Sequence, residues 1–278
     1  MSDNVRKCLV VGLPNAGKST YIGAFWAIEK DGGTGHTFTF EKYPSDIKYL
    51  NALKDNWLEQ KAVDRTVQLS QDLMFDLERL ADGEKLSVNI PDFKGEVFNQ
   101  LLLGNSPDKL DEWIKDADSI LMFIENCEEE IYCEEFGDDT SDRDIPSNAF
   151  GIEEIEPWIK VIQILKFLKE EKGDIPISIC VSAWDKAIKN LSEGDSVDSW
   201  LKEEHLFFYT FATHQFSNVR FFGVSAQGLD YDDRDADFTD KKVRELTEQK
   251  KRAYISSGTD KDTILPNHLL GCLKIKRL

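Results

Sequence analysis

Short apolar runs alternate along the chain with longer segments in which apolar residues recur every three or four positions. The short runs are typical of strands buried on both faces of a sheet, and the longer segments are typical of amphipathic helices. The predicted strands are Cys8–Val11, Thr66–Leu77, Leu86–Ile90, Ile120–Ile124, Ile175–Val181 and Val219–Val224. Because strands and helices alternate, the pattern predicts an α/β fold in which helices cover a mostly parallel central sheet. We expect the last of these strands to close the sheet.

The predicted helices lie between these strands. They are Lys18 to about Glu29, Ser45 to about Gln60, Ile155–Leu168 and Ser196 to about Phe216. Ser45 is the predicted N-cap of the second helix, because a serine side chain accepts hydrogen bonds from a helix's first turn. Glycine and threonine residues between 31 and 40 indicate a turn or short hairpin, and Asp82-Gly83 indicates a tight turn between two strands.

The length of 278 residues suits one large domain with insertions, which we predict over residues 1–278. A helical insertion is predicted at about 43–64. Carboxylates are concentrated at about 125–148 and 229–262, which indicates acidic, solvated loops, and a C-terminal segment follows at 263–278.

Composition narrows the classes of partner. The formal net charge of −18 argues against binding to nucleic acid and to an anionic membrane surface, because both carry negative charge. The apolar runs are also too short to span a bilayer. None of the five cysteines forms a CxxC pair and only four histidines are present, so no zinc site is evident. With no signal peptide before the first strand, we expect a cytoplasmic protein.

The first chemical motif follows the first predicted strand. Gly12–Ser19 reads Gly-Leu-Pro-Asn-Ala-Gly-Lys-Ser and matches GxxxxGK[ST], the P-loop pattern. Glycines let successive backbone N–H groups face phosphate oxygens, the lysine adds a cation, and the Ser19 hydroxyl can bind Mg²⁺. The helix that follows directs its positive end at the same anion. The predicted nucleotide contacts are Asn15, Ala16, Gly17, Lys18, Ser19 and Thr20.

A DxxG sequence follows the strand Leu86–Ile90. Asp92 in this position can hold Mg²⁺ through water, and Gly95 can offer its backbone N–H to a γ-phosphate. Asp and Gly are also ordinary turn residues, so DxxG alone does not identify a nucleotide site. Its position after a strand and downstream of a P-loop favours the functional interpretation.

A third motif follows the strand Ile175–Val181. An Asp in an [N/T]KxD motif accepts hydrogen bonds from the guanine N1–H and 2-amino groups. Adenine lacks these donors, so bound ATP would leave the carboxylate unpaired, which disfavours ATP. Asp185 has this position, but Ser182 and Ala183 stand where that motif has Asn or Thr and then Lys. Asp185 and Lys186 are the predicted contacts. The alternative is an ordinary Asp in the first turn of a helix.

The fourth motif follows the strand Val219–Val224. Ser225-Ala226-Gln227 resembles the SA[K/L] sequence, in which a backbone N–H meets the guanine O6 atom. We predict Ser225 and Ala226 as nucleotide contacts, with the N–H at Ala226.

The order of these motifs on successive strand ends resembles the Ras-like, translation-factor-related (TRAFAC) class of P-loop GTPases, over about Lys7–Leu229. The resemblance implies a three-layer P-loop NTPase sandwich, with GTP and GDP as ligands and Mg²⁺ as cofactor. GLPNAGKST, DxxGE at Asp92–Glu96 and SAWD at Ser182–Asp185 also resemble the bacterial double-GTPase family, which is associated with multi-gene conflict and signalling systems. That resemblance implies a protein effector or partner in the same system.

Spacing selects the switch I threonine. Ras-like proteins place it before a strand and roughly two dozen residues before the DxxG aspartate, which fits Thr66 better than Thr37 or Thr39. Thr66 is therefore the predicted ligand of Mg²⁺ and sensor of the γ-phosphate, alongside Ser19 and Asp92. A threonine that simply begins a strand is the alternative.

The predicted catalytic set is Lys18, Arg65, Thr66, Gly95 and Glu96. Ras-like enzymes often carry Gln after DxxG to orient the attacking water, whereas this chain has Glu96, which adds negative charge near a γ-phosphate. Glu96 can instead begin a switch II helix, where the helix dipole favours an acidic side chain. Arg65 can supply charge to the transition state, or it can be an ordinary solvated arginine. Slow intrinsic hydrolysis is expected.

The leading hypothesis is a GTP-hydrolysing switch. A P-loop ATPase or kinase, with Asp92 as a Walker B-like carboxylate, is the second. A nucleotide-binding interaction module with negligible turnover is the third.

Overall fold

An eight-stranded sheet forms the centre of the computed structural model, which describes residues 5–30, 38–44, 46–59, 61, 72–91, 101, 108–126, 155–188, 191–192, 195–228 and 253–256. The strand order across the sheet is β2-β3-β4-β1-β5-β6-β7-β8. The strands are β1 (Arg6–Gly12), β2 (Phe38–Lys42), β3 (Leu73–Arg79), β4 (Lys85–Ile90), β5 (Ser119–Glu125), β6 (Ile177–Ser182), β7 (Val219–Ser225) and β8 (Tyr254–Ser256).

The central strands of the sheet are parallel. Strand β1 pairs with both β4 and β5, and β5, β6 and β7 follow in parallel pairs. Among the described strands, antiparallel pairing is confined to β2 with β3, β3 with β4, and β7 with β8. The mostly parallel sheet predicted from the sequence is confirmed.

Helices cover both faces of this sheet. They are α1 (Lys18–Lys30), α2 (Ile47–Leu58), α3 (Asp108–Asp116), α4 (Pro157–Lys172), α5 (Trp184–Ala187), α6 (Val197–Glu204) and α7 (Leu206–Gln215). Side chains of β1 alternate between the two faces. Leu9 and Val11 join the core beneath α3, α4, α6 and α7, whereas Cys8 and Val10 join the core beneath α1 and α2. The three-layer α/β sandwich is confirmed.

Helix α2 packs on α1 rather than directly on the central strands, and it buries Tyr49, Leu50, Leu53 and Trp57. The prediction of Ser45 as its N-cap is wrong. The helix begins one residue later, and the Asp46 carboxylate accepts the backbone N–H of Tyr49 at 3.0 Å. A carboxylate caps as well as a hydroxyl does and adds a favourable interaction with the helix dipole.

The β3–β4 hairpin contains the predicted Asp82-Gly83 turn. Gly83 has a φ of +70°, and its N–H donates to the Arg79 carbonyl at 2.8 Å. The predicted strand Thr66–Leu77 is observed from Leu73 onward, and residues 62–71 lie outside the described residues. The last residues of the turn or hairpin predicted at 31–40 belong instead to strand β2, Phe38–Lys42, which pairs with β3.

Two sequence predictions fail near the C-terminal part of the sheet. The single helix predicted from Ser196 to about Phe216 is two helices, because His205 has a non-helical φ of −135° and ψ of 47°. Its ring stacks on Trp158 at 3.7 Å between centroids, a contact that stabilises the break. Strand β7 also does not close the sheet, since β8 pairs with it.

Strand β8 lies inside the segment 229–262 that the sequence marks as an acidic loop. Among the helices within the described ranges, none combines the length and apolarity that crossing a bilayer requires.

Candidate nucleotide-binding site

The P-loop leaves the carboxyl end of β1 and passes close to two neighbouring strands. A Cβ atom at Gly12 would lie 2.5 Å from the carbonyl oxygen of Phe123 on β5. Gly17 has a φ of +79°, and a Cβ there would lie 3.0 Å from the Ser182 Cβ on β6. Close approach at the first position and a left-handed backbone at the second explain why both positions carry glycine.

The loop closes on itself before α1 begins. The N–H of Gly17 donates to the Asn15 carbonyl at 2.8 Å, and Asn15 has a left-handed φ of 64°. Ala16 is buried under the loop, whereas Asn15 is exposed. Helix α1 starts at Lys18, so Ser19 and Thr20 stand in its first turn. The loop and the positive end of α1 therefore lie side by side, as an anion site requires.

Lys18 bonds to the loop itself in this structure. Its Nζ donates to the carbonyl oxygens of Gly12 at 2.6 Å and Leu13 at 2.7 Å. Burial lowers the pKa of the Lys18 ammonium group to about 8. Neutral carbonyls bond this cation without offsetting its charge, so it remains available to an anion.

A cavity connects the P-loop with the carboxyl ends of three other strands. Asn15, Gly17 and Thr20 line it from the P-loop side. Ser182, Ala183, Asp185 and Lys186 line it after β6, and Val224, Ala226 and Gln227 line it at the end of β7 and beyond. Parallel α/β sheets bind their ligands at this edge, where strand ends and helix starts meet.

Asp185, which lines this cavity after β6, is hydrogen-bonded to Ser225, the last residue of β7. The Ser225 Oγ donates to Asp185 Oδ1 at 2.9 Å, and Ser225 is fully buried. The chain reaches Asp185 through Ala183, whose φ of 52° is left-handed, and Trp184 then packs its ring under Gly223. This turn directs a carboxylate with a fixed orientation into the cavity.

The sequence comparison with protein families gives one match over most of the chain. A family model described as Double-GTPase 1 matches residues 9–267, which include all four motifs. This chain belongs to the Double-GTPase 1 family.

Comparison with solved structures finds distant similarities to this Double-GTPase 1 chain. It is similar to the structure of Methanosarcina barkeri Roco2 RocCORdC bound to GDP, at 14% sequence identity and a TM-score of 0.35. The match covers 88% of this chain and 50% of the Roco2 chain, so this chain spans about half the length of that one. Comparison with curated proteins gave no match.

Five predicted site residues of this double-GTPase chain lie outside the described residues: Arg65, Thr66, Asp92, Gly95 and Glu96. Their roles stay predictions. The structure brings together the remaining predicted residues of the phosphate side, Asn15–Thr20, and of the base side, Asp185, Lys186, Ser225 and Ala226.

Three residues of the cavity wall were not predicted as site residues from the sequence: Phe123, Glu125 and Gln227. Each stands at or just beyond the end of a predicted strand, where side chains reach the cavity. Their position in the sequence could have suggested them, but no motif includes Phe123 or Glu125. Gln227 was noted only as the third residue of the SA motif.

Proposed function

We propose that this chain binds GTP and GDP and hydrolyses GTP to GDP and phosphate. The observation that carries the proposal is that the P-loop and Asp185, which accepts a hydrogen bond from the buried Ser225, face one cavity. Guanine offers the N1–H and the 2-amino group to a carboxylate, whereas adenine offers neither at the equivalent positions. An adenine nucleotide would leave the base-binding side of the Asp185 carboxylate desolvated without a donor, which disfavours it. Membership of the Double-GTPase 1 family supports the same nucleotide.

The P-loop provides the phosphate half of the proposed site. Its backbone N–H groups and the start of α1 favour an anion, and among the described residues the hydrogen-bond partners of Lys18 are neutral carbonyls. A triphosphate would attract the Lys18 ammonium from those carbonyls to the β- and γ-phosphate oxygens. A phosphate would stabilise the desolvated Lys18 ammonium group strongly, because the carbonyls that now bond it do not neutralise its charge.

The residues present are compatible with Mg²⁺. Ser19 lies in the first turn of α1, beside the expected phosphate position. No group of three or more His, Cys, Asp or Glu side chains capable of holding a metal occurs in the described ranges. Mg²⁺ requires no such group here, because it keeps several waters and binds substrate phosphates with one or two protein ligands. We propose Ser19, Thr66 and Asp92 as the residues that hold it; when bound, it neutralises charge on the phosphates.

The proposed hydrolysis is slow without a partner protein. Glu96 would orient the attacking water less favourably than a glutamine, because its charge repels the γ-phosphate. Arg65 is the candidate for stabilising charge in the transition state, and Gly95 would sense the γ-phosphate through its N–H. In this proposal Thr66 and the Asp92–Glu96 turn order around GTP and are released after hydrolysis. A protein effector in a bacterial conflict or signalling system would then recognise the GTP state in the cytoplasm.

Phosphate release from GTP and from ATP, each with Mg²⁺ at saturating concentration, tests this function. We expect release from GTP only, with loss of turnover on addition of a chelator and in Lys18→Ala. Circular dichroism would verify that the Lys18→Ala variant is folded. Equal turnover of ATP would favour the P-loop ATPase or kinase, and tight GTP binding with no release would favour the interaction module.

A further inference from the structure

The base side of the cavity lacks two residues of the usual GTPase motif. Ser182 and Ala183 stand where Asn or Thr and then Lys are expected, and neither has a side chain that could span the base. Two other side chains contact the base-side residues from segments outside the four motifs. Trp57 comes from helix α2, and Tyr254 comes from strand β8.

Tyr254 reaches Asp185 through Ser225. Strand β8 pairs antiparallel with β7, with Tyr254 opposite Ser225. The Tyr254 hydroxyl is hydrogen-bonded to the Ser225 side chain, whose Oγ lies 2.9 Å from Asp185 Oδ1. Three side chains from three different segments of the chain thus form one connected hydrogen-bond network.

The proton positions in this network follow from the chemistry of its members. A carboxylate only accepts hydrogen bonds, so the Ser225 hydroxyl must donate to Asp185. The Ser225 oxygen then has lone pairs free to accept the Tyr254 hydroxyl proton. Burial, together with the negative charge of Asp185, raises the pKa of Tyr254 to about 12, so Tyr254 keeps that proton at neutral pH. Each donor polarises the next, which strengthens the bond that orients Asp185.

Trp57 holds the adjacent backbone. Its indole Nε1–H donates to the carbonyl oxygen of Ala226 at 2.7 Å. The ring is buried among Ala24 and Ala27 of α1 and Ala253, the residue before β8. Helix α2 therefore fixes the peptide that follows Ala226, the residue whose N–H is expected to meet guanine O6.

We propose that Tyr254 and Trp57 are positioning residues for guanine recognition, which hold the Asp185 carboxylate and the Ala226 backbone in place of the missing motif residues. The inference rests on the proposed function. Neither side chain has to touch the nucleotide, since each acts through a residue that lines the cavity. A loss of orientation should therefore reduce affinity for guanine nucleotides and spare the affinity that the P-loop provides for any nucleoside diphosphate.

The first test compares Tyr254→Phe with wild type. The substitution removes one hydroxyl and keeps the ring, and equilibrium affinities are measured for GDP, IDP and ADP. IDP lacks the 2-amino group, so the GDP-to-IDP ratio reports on the contact with Asp185. We expect that ratio to fall about 5- to 10-fold, with ADP affinity unchanged. Tyr209→Phe is the matched control, because the Tyr209 hydroxyl bonds to Asp198, away from the cavity.

The second test compares Trp57→Phe with Trp26→Phe. Both substitutions remove an indole N–H donor from a buried ring where α1 and α2 pack together. Trp26 Nε1 donates to Asn51 Oδ1 on α2, whereas Trp57 donates to Ala226. We expect GDP affinity to fall about 5- to 10-fold relative to ADP in Trp57→Phe, and the GDP-to-ADP ratio to stay at the wild-type value in Trp26→Phe.

A double-mutant cycle separates positioning from general damage. In an Asp185→Asn background the network has lost its carboxylate, so Tyr254→Phe should not lower GDP affinity further. An equal loss of affinity for GDP, IDP and ADP in Tyr254→Phe would overturn the inference and indicate a structural role. Unchanged selectivity in both Tyr254→Phe and Trp57→Phe would also overturn it. If wild type already binds ADP as tightly as GDP, the proposed function fails instead.

Discussion

The protonation of Lys18 depends both on its burial in the P-loop and on whether a phosphate is bound. Burial lowers its pKa to about 8, and in the part of the chain that the structure describes its hydrogen-bond partners are the neutral carbonyls of Gly12 and Leu13. In the unliganded protein, burial therefore favours the neutral form of Lys18. A bound di- or triphosphate would favour the charged form and return the pKa towards its ordinary range or above.

Nucleotide binding should consequently take up a proton at alkaline pH. The free-state pKa of Lys18 is lower than the bound-state pKa, so affinity should be constant below about pH 8 and fall as pH rises above it. Titration calorimetry of GDP at pH 8.5, in two buffers of different ionisation heat, should show net proton uptake. Lys18→Arg is the control, because its guanidinium is charged in both states. No uptake in the wild type would contradict this account of Lys18.

At the scale of elements, helix α2 contacts both α1 and the loop that follows β7. It packs against α1 so closely that a Cβ at Gly23 would lie 2.8 Å from the Leu53 carbonyl oxygen. It also carries Trp57 to the base side of the cavity. Helix α2 therefore links the helix that follows the P-loop with the loop that follows β7.

Gly23→Ala tests that link through stability. Alanine in place of glycine ordinarily stabilises a helix interior by about 1 kcal/mol. Here the added methyl group meets backbone rather than a flexible side chain, so we expect a net destabilisation of about 1–3 kcal/mol from overpacking. Urea denaturation measures the free energy of unfolding. A Gly23→Ala variant more stable than wild type would show that α2 is not held against α1 at this distance.

The periodicity of apolar residues predicted the helices and strands that bury one continuous apolar face. It did not predict the elements that depend on contacts between residues distant in sequence. The central strands and α4 were identified because their apolar periodicity is continuous. Strand β8 has three residues, too few for a pattern, and exists through its pairing with β7. The break at His205 depends on a stack with Trp158, which lies 47 positions earlier in the numbering.

The residues of the candidate site also divide into those predictable from local sequence and those that depend on the folded structure. The P-loop, Asp185 and Ser225 were predictable because glycine spacing and strand-end positions are local properties of the sequence. The roles proposed for Trp57 and Tyr254 could not be predicted, since their partners Ala226 and Ser225 become neighbours only in the folded sheet.

For the whole molecule, the carboxyl ends of the parallel strands lie at one edge of the sheet, where we propose that phosphate and base are bound. If Thr66 and the Asp92–Glu96 turn sense the γ-phosphate, the change from GTP to GDP should alter the chain around them. Hydrogen exchange at residues 60–70 and 92–105 should be slower with a non-hydrolysable GTP analogue than with GDP, because the terminal phosphate and Mg²⁺ give these segments additional contacts. Thr66→Ala should reduce the difference near residue 66 while GDP affinity is retained.

Identical exchange profiles in the two nucleotide states, at saturating ligand, would contradict the switch. A change centred on Thr37 instead of Thr66 would show that the spacing argument selected the wrong threonine. In that case helix α2 follows switch I in the sequence rather than preceding it.

The central claim is that Asp185 makes this P-loop site selective for guanine. Competition among GDP, ADP and XDP, in the wild type and in Asp185→Asn, tests it most directly. The wild type should prefer GDP, and Asp185→Asn should shift the preference to XDP, because the amide reverses one donor–acceptor match with the base. The P-loop is unchanged, so affinity for ADP should be similar in both proteins. Wild-type protein that binds ADP as tightly as GDP, or an Asp185→Asn variant with the wild-type order of preference, would contradict the assignment of Asp185.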